Sequence, residues 1–172
     1  MGAGYRVRQF ALALGATINP QEQDAAGEYL DGAQLELFRS MSSIDQHHCL
    51  AVCGSLLEDG EKDPSLLTAA LLHDVGKTVG PVRIWHRVIA VLTNALAPRL
   101  WEAVDEKPGT WRYPLYVHHK HAGLGAALAQ EGGCSPEVVW LIAHHEDEPR
   151  QDGRGSKKRR LLAALQAADA AN

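Results

Sequence analysis

An apolar helical run that ends on two polar residues in direct succession constrains this chain more than any other stretch. Leu66, Leu67, Ala70 and Leu71 recur at helical spacing. His73-Asp74 follows, and then Val75-Gly76-Lys77. Leucine-rich turns do not need an imidazole and a carboxylate to pack, and seating both at a buried helix end costs several kcal/mol unless something compensates. A divalent metal compensates, because it takes neutral imidazole and ionised carboxylate as ligands. Gly76 is expected to end the helix at positive φ, leaving Lys77 projecting from the turn toward whatever the metal holds. The plain alternative for these residues alone is a helix C-terminus with a chance His-Asp pair and a capping glycine.

Helical periodicity recurs along the chain, and no convincing run of alternating β-branched residues marks a strand. Tyr5 to Leu14 reads as a first helix. Asn19-Pro20 is a cap followed by proline at the first helical position and opens a helix to about Leu30. A third helix follows Gly32, carrying Leu35, Leu37, Phe38 and Met41. Ser43 can cap the next, from Ile44 to about Glu58. Asp63-Pro64 repeats the cap-plus-proline signal and starts the helix that ends at His73-Asp74. Beyond Gly80-Pro81 a long helix carries Ile84, Val88, Val91, Leu92 and Leu96, and Pro98 starts a short one through Trp101 and Val104. Glu106 to Pro114 reads as a loop turning at Pro108-Gly109, with Trp111-Arg112-Tyr113 as a candidate lid. Helices are expected from about Leu115 to Gln130, from Ser135-Pro136 to His144-His145, and from Lys157 to Asp169. The prediction is an all-α, single-domain helical bundle.

At 172 residues the chain fits one domain with a real core. A net charge of −4 gives no global pull toward nucleic acid or anionic membrane. The most apolar segment, Val82 to Leu96, is broken by Arg83, His86 and Arg87, so it reads as a buried or interfacial helix rather than a membrane span. With Trp101 it leaves room for a homodimer face. Met1 to Gln9 is polar and the next apolar run is short, so no signal peptide is expected. Cys49, Cys53 and Cys134 lack metal-type pairing and are expected as reduced core thiols of a cytoplasmic protein.

The placement of the nine histidines matters more than their number. His118, His119 and His121 share one helix, and His144 and His145 end the next. His48 lies mid-helix on the face of Ile44 and Val52. Asp169 sits near the end of an alanine- and leucine-rich helix, where an aspartate is unfavourable without a partner. Each feature alone has a bland explanation, as a hydrogen-bonded histidine or a solvated aspartate. Their coincidence in one chain does not.

The order His, His-Asp, His, His, Asp resembles that of the HD-domain metal-dependent phosphohydrolases. His48-Cys49-Leu50-Ala51-Val52 is similar to the family's His-x-x-x-Val, and His73-Asp74-Val75-Gly76-Lys77 to its His-Asp-Ile-Gly-Lys box. His121-Ala122-Gly123-Leu124-Gly125-Ala126 resembles His-Pro-x-x-Gly-Ala. Ile142-Ala143-His144-His145-Glu146 and Ala168-Asp169 complete a match over about residues 40 to 172. Arg6, Gln9 and Phe10, Trp111-Arg112-Tyr113-Pro114, and Leu162 to Asp169 look like a group of bacterial HD-domain proteins with no assigned substrate.

The resemblance implies residues 1–40 as N-terminal helices packed on an HD-type metal-binding core, 41–172, within one domain. It implies His48, His73, Asp74 and Asp169 as ligands of one metal. A second metal would be held by His121 and one or both of His144 and His145, with Asp74 bridging. Adjacent helical residues point about 100° apart, so His144 and His145 cannot face one ion equally, and the family's spacing favours His145. The expected cofactors are two divalent ions, iron, manganese, zinc or cobalt. Two such ions roughly 3.5–4 Å apart can activate a water and neutralise phosphoryl oxygens. Asp74 and Lys77 are the expected catalytic residues, with Lys77, His118 and Lys120 on the substrate.

The expected function is therefore hydrolysis of a small phosphorylated substrate, a nucleotide by preference. A mixed-valent di-iron oxygenase with the same ligand set is the alternative, and a non-catalytic metal-stabilised regulatory module the third. Glu146-Asp147-Glu148-Pro149-Arg150 stands where the cyclic-di-GMP phosphodiesterases carry Gly-Tyr-Pro, which argues against that substrate. Glu146 likewise fails to match the threonines of the dinucleoside tetraphosphate hydrolases. The basic run of Arg150, Arg154, Lys157, Lys158, Arg159 and Arg160 could steer an anionic substrate. It holds no aromatic residue for base stacking, so direct nucleic-acid binding is not expected.

Overall fold

Side chains that accept hydrogen bonds from the first turn fix where most of the helices begin. In the computed structural model, which describes residues 20–80, 107–110, 113–148 and 156–172, the Asp63 carboxylate accepts from the amides of Ser65 and Leu66 at 3.0 and 3.3 Å. Pro64, whose missing N–H costs nothing at a helix start, then opens a helix over Pro64–Leu72. Ser135 and Pro136 repeat the device at Pro136–His144. Asp31 and Gln34 form a reciprocal capping box at Gly32–Ser40. The cap of the helix Ser43–Glu58 is Ser42 rather than Ser43, because the Ser42 hydroxyl accepts from the Asp45 amide and Ser43 is already helical.

Among the described residues the fold is all-α: α1 Pro20–Gly27, α2 Gly32–Ser40, α3 Ser43–Glu58, α4 Pro64–Leu72, α5 Tyr113–Glu131, α6 Pro136–His144 and α7 Lys157–Ala171, with a 3-10 turn over Val75–Val79. α1 stops at Gly27, short of the Leu30 expected. Tyr113 and Pro114, expected in a loop, form the first turn of α5. The Tyr5–Leu14 helix, the Asn19 cap, both helices between Pro81 and Val104, the Trp111 and Arg112 part of the lid, and the basic residues Arg150 and Arg154 lie outside the described residues.

α4 is the axis of the bundle. Every residue from Leu66 to Leu72 is buried, which suits a helix apolar on all sides only if neighbours surround it. α3, α6 and α7 pack against it, and α2 closes another side with the fully buried Phe38. Leu56, Leu141, Ile142, Leu161 and Leu165 fill the space between. Cys49, Cys53 and Cys134 are free, buried thiols. Among the described residues no helix is long and apolar enough to cross a membrane.

Gly76 does not end α4 by adopting positive φ; among the described residues that conformation belongs to Gly60, Gly109 and Gly133. After Asp74 the backbone tightens into the 3-10 turn, which presses against α5. A Cβ at Gly76 would overlap the His121 carbonyl oxygen and the Gly125 amide nitrogen. The glycine is required by close backbone approach, and that approach brings the His-Asp corner to the helix carrying His121.

Candidate metal centre

Five chain segments deliver side chains to the buried end of α4. His73 is the residue after α4 and Asp74 opens the 3-10 turn, so the helix ends where both can turn inward; they are 1% and 2% exposed. His48 comes from the middle of α3, Asp169 from the last turn of α7, His121 from α5, and His145 from the residue after α6. The His48 Nε2 lies 2.8 Å from Asp169 Oδ1, which is 3.7 Å from His73 Nε2. His73 Nε2 and His121 Nε2 lie 3.8 and 3.3 Å from the same atom, Asp74 Oδ1. His121 Nε2 and His145 Nε2 are 3.2 Å apart. The result is two groups with Asp74 in common: His48, His73 and Asp74, and Asp74, His121 and His145, with ligand atoms within 4.8 Å of one another in each.

Backbone carbonyls hold three of the imidazoles. Nδ1 of His73, His121 and His145 lies 2.9, 2.6 and 2.8 Å from the carbonyl oxygens of Ala70, His118 and Ile142, each three residues back. A carbonyl can only accept, so Nδ1 carries a proton in all three; Nε2 of His73 and His145 presents its lone pair to the centre, while Nε2 of His121 faces Asp74 Oδ1. This is the orientation by which metal-binding histidines are usually fixed.

The protonation states follow from the surroundings. Burial, with His73 and His121 nearby, pushes His145 down to about 3, and burial lowers His73 despite its two carboxylate neighbours. Burial alone would raise Asp74, but the Lys77 ammonium, His73 and a hydrogen bond from His121 hold it well below the ordinary carboxylate range. Asp169 is likewise lowered against its own burial, by the His48 hydrogen bond and His73. The two carboxylates are thus ionised at neutral pH and His73 and His145 are neutral, the forms a cation requires, whereas His121 is raised against the pull of its burial by its hydrogen bond to Asp74. Two further observations fit a metal. His73 Nε2 is buried without a hydrogen-bond partner, a costly state for a ring nitrogen. The facing Nε2 atoms of His121 and His145 need a proton or a cation between them.

A sequence profile of the HD domain matches residues 45–171. The chain belongs to the HD-domain superfamily. No curated protein and no solved structure matches it. Membership bears out the resemblance carried by the motifs and the all-α fold, and it suggests metal-dependent hydrolase activity, for which the two His/Asp groups could hold the metal.

Of the residues singled out from the HD-type motifs, His48, His73, Asp74, His121, His145 and Asp169 come together. His144 does not: its ring stacks on Trp140 with centroids 4.4 Å apart, and its Nδ1 donates to the Trp140 carbonyl at 2.8 Å. Lys158 sits over the Trp140 ring, 4.5 Å from its centroid. Successive side chains at the helix end diverge, and Trp140 takes the one that faces away. Lys77, expected to project from the turn, instead lies with Nζ 2.5 Å from Asp74 Oδ2 and 3.9 Å from Asp45 Oδ1. His118 is half-buried with its ring 5.9 Å from that of His121. Exposed Lys120 and His119 line an adjoining cleft of about 530 Å³ with Tyr116, Ala143, Glu146 and Asp147.

Three residues of this HD domain were given no role in the site by the motif reading. Asp45 is buried one turn before His48, and its i,i+3 spacing from a ligand was the available signal. Glu146 Oε2 lies 3.6 Å from His121 Nδ1 and joins the centre to the cleft. The Gln166 amide donates to the carbonyls of His145 and Asp147 at 3.1 and 2.8 Å, binding α7 to the turn after α6.

Proposed function

We propose that this HD domain is a metal-dependent phosphohydrolase acting on a small phosphorylated molecule, with a nucleotide as the preferred class. The observation that carries the reading is the single oxygen, Asp74 Oδ1, approached by His73 from one group and His121 from the other. A shared carboxylate between two donor sets is what a pair of divalent ions requires. His48, His73, Asp74 and Asp169 would hold one ion and Asp74, His121 and His145 the other, drawn from iron, manganese, zinc or cobalt. Ions there would acidify a water and neutralise charge on phosphoryl oxygens.

The chain's own residues supply the rest. Lys77 brings a positive charge beside Asp74, toward the phosphoryl group. The cleft beside His121 is of a size that suits a nucleoside. In this reading His118, His119 or Lys120 would give a proton to the leaving alkoxide. Residues 1–40 are read as an N-terminal layer of the same domain, and the free thiols suit a cytoplasmic setting.

A phosphatase and phosphodiesterase substrate screen with added manganese tests the reading, beside metal analysis and an anaerobic colour check that would reveal an iron oxygenase. Asp74→Ala is expected to abolish both turnover and metal loading while leaving the helical circular dichroism intact. Full activity in that variant refutes the assignment.

A further inference from the structure

One buried charge beside the centre belongs to neither donor group. Asp45, 3% exposed on the first turn of α3, receives the Ser42 hydroxyl proton at Oδ2 across 2.5 Å, and its own amide donates back to Ser42 Oγ at 3.3 Å. An ionised carboxylate at that depth costs several kcal/mol unless it is paired. The hydroxyl and the helix N-terminus offset part of this. Its other oxygen, Oδ1, faces Lys77 Nζ at 3.9 Å.

Lys77 thus lies between two carboxylates with different duties: Asp74 belongs to both donor groups, Asp45 to neither. We propose that Asp45 is a positioning residue, which retains the Lys77 ammonium beside the centre when metal ions engage Asp74. Ions drawn to Asp74 weaken its hold on Lys77 and repel the ammonium at short range. The lysine stem is flexible, and 14% of the side chain is still exposed, so a way out to solvent exists. Asp45 lies outside both donor groups and is anchored by Ser42, and rotation about the last bonds of the lysine closes the remaining distance. The positioning stands on this geometry; what the retained ammonium then does rests on the phosphohydrolase reading.

The test uses the full chain loaded with manganese, as wild type, Asp45→Asn and Asp45→Glu. Lys77 is acylated with acetic anhydride, and the extent is read by mass spectrometry of the peptide that contains it. Labelling in the loaded Asp45→Asn protein is expected to rise about tenfold, the effect of losing one charge-assisted contact. Asp45→Glu is expected to stay near wild type, and manganese content to be equal in all three. In metal-free protein the Asn substitution changes labelling less, because Asp74 still holds the amine. Ser42→Ala, which releases the Asp45 anchor, gives a smaller rise in loaded protein and serves if Asp45→Asn fails to fold. Unchanged Lys77 labelling in folded, loaded variants overturns the proposal, as does loss of manganese from Asp45→Asn. Inorganic phosphate binding to the same samples separates the two readings. If labelling rises while phosphate affinity holds, the positioning stands and Lys77 leaves the phosphohydrolase scheme.

Discussion

The Nε2 atoms of His121 and His145 face each other at 3.2 Å, with both Nδ1 protons already given to backbone carbonyls. Such a pair is joined by a proton on one ring or by a cation between them, and the HD-type donor set favours the cation. His145→Ala is therefore expected to lower metal stoichiometry, measured by elemental analysis after gel filtration. His144→Ala should leave stoichiometry unchanged and cost about 0.5–1.5 kcal/mol through its lost stacking on Trp140. Equal metal loss in the two variants would contradict this division.

Metal binding should also appear as stability. A ligand held only by the folded chain stabilises it by about 2.7 kcal/mol at a hundred times its Kd. For a chain of this size each kcal/mol moves Tm by roughly 2–4 °C. Thermal unfolding with manganese and with a chelator should therefore differ by several degrees. Coincident curves would mean that the buried His73 Nε2 is satisfied in some other way.

Gly76 and Gly123 make a matched pair. Alanine at Gly76 would overlap the backbone of α5, whereas a Cβ at Gly123 meets nothing within 4 Å. Gly76→Ala is expected to cost at least about 1–3 kcal/mol and to weaken metal binding by moving the His-Asp corner. Gly123→Ala should be neutral or stabilising by up to about 1 kcal/mol, since glycine is the poorer helix former. Urea unfolding of both variants decides, and a tolerated Gly76→Ala would show that the turn and α5 can part without loss.

Asp63 carries a pH dependence whose sign can be worked out. The Lys157 ammonium, 2.8 Å away, and the capped amides of Ser65 and Leu66 hold its carboxyl below the ordinary value against partial burial. A depressed acid stabilises the fold above its unfolded pKa of about 3.9, and that contribution disappears as pH falls through the folded value. Asp63→Ala should cost about 1 kcal/mol at neutral pH. The gap from wild type should narrow once pH drops below the normal aspartate range, as followed by urea midpoints in metal-free protein. A gap independent of pH would assign the effect to helix propensity alone.

Much of this was legible in the residues because caps and ligands are local signals. Asp63-Pro64 and Ser135-Pro136 marked two helix starts, and the resemblance of the motifs around His48, His73, Asp74, His121 and Asp169 to those of HD domains pointed to the residues that meet. What stayed hidden depends on contacts between distant segments. Gly76 looked like a helix stop, and only its approach to His121 and Gly125 reveals its role. The family's spacing favoured His145 while leaving room for His144, and the stacking that turns His144 onto Trp140 was not visible in it. Asp45 belongs to none of the motifs, and nothing in the chain order places it beside Lys77.

His48 and Asp169 lie 121 positions apart and meet through one hydrogen bond. A cluster drawn from five segments has no local version: no isolated helix or hairpin of the chain can reproduce it. Occupancy by an ion is then a gauge of the whole bundle, since fraying of α7 or detachment of α3 would spill the cargo before the remaining helices melt. The rate at which metal escapes into a chelator would time the protein's own opening.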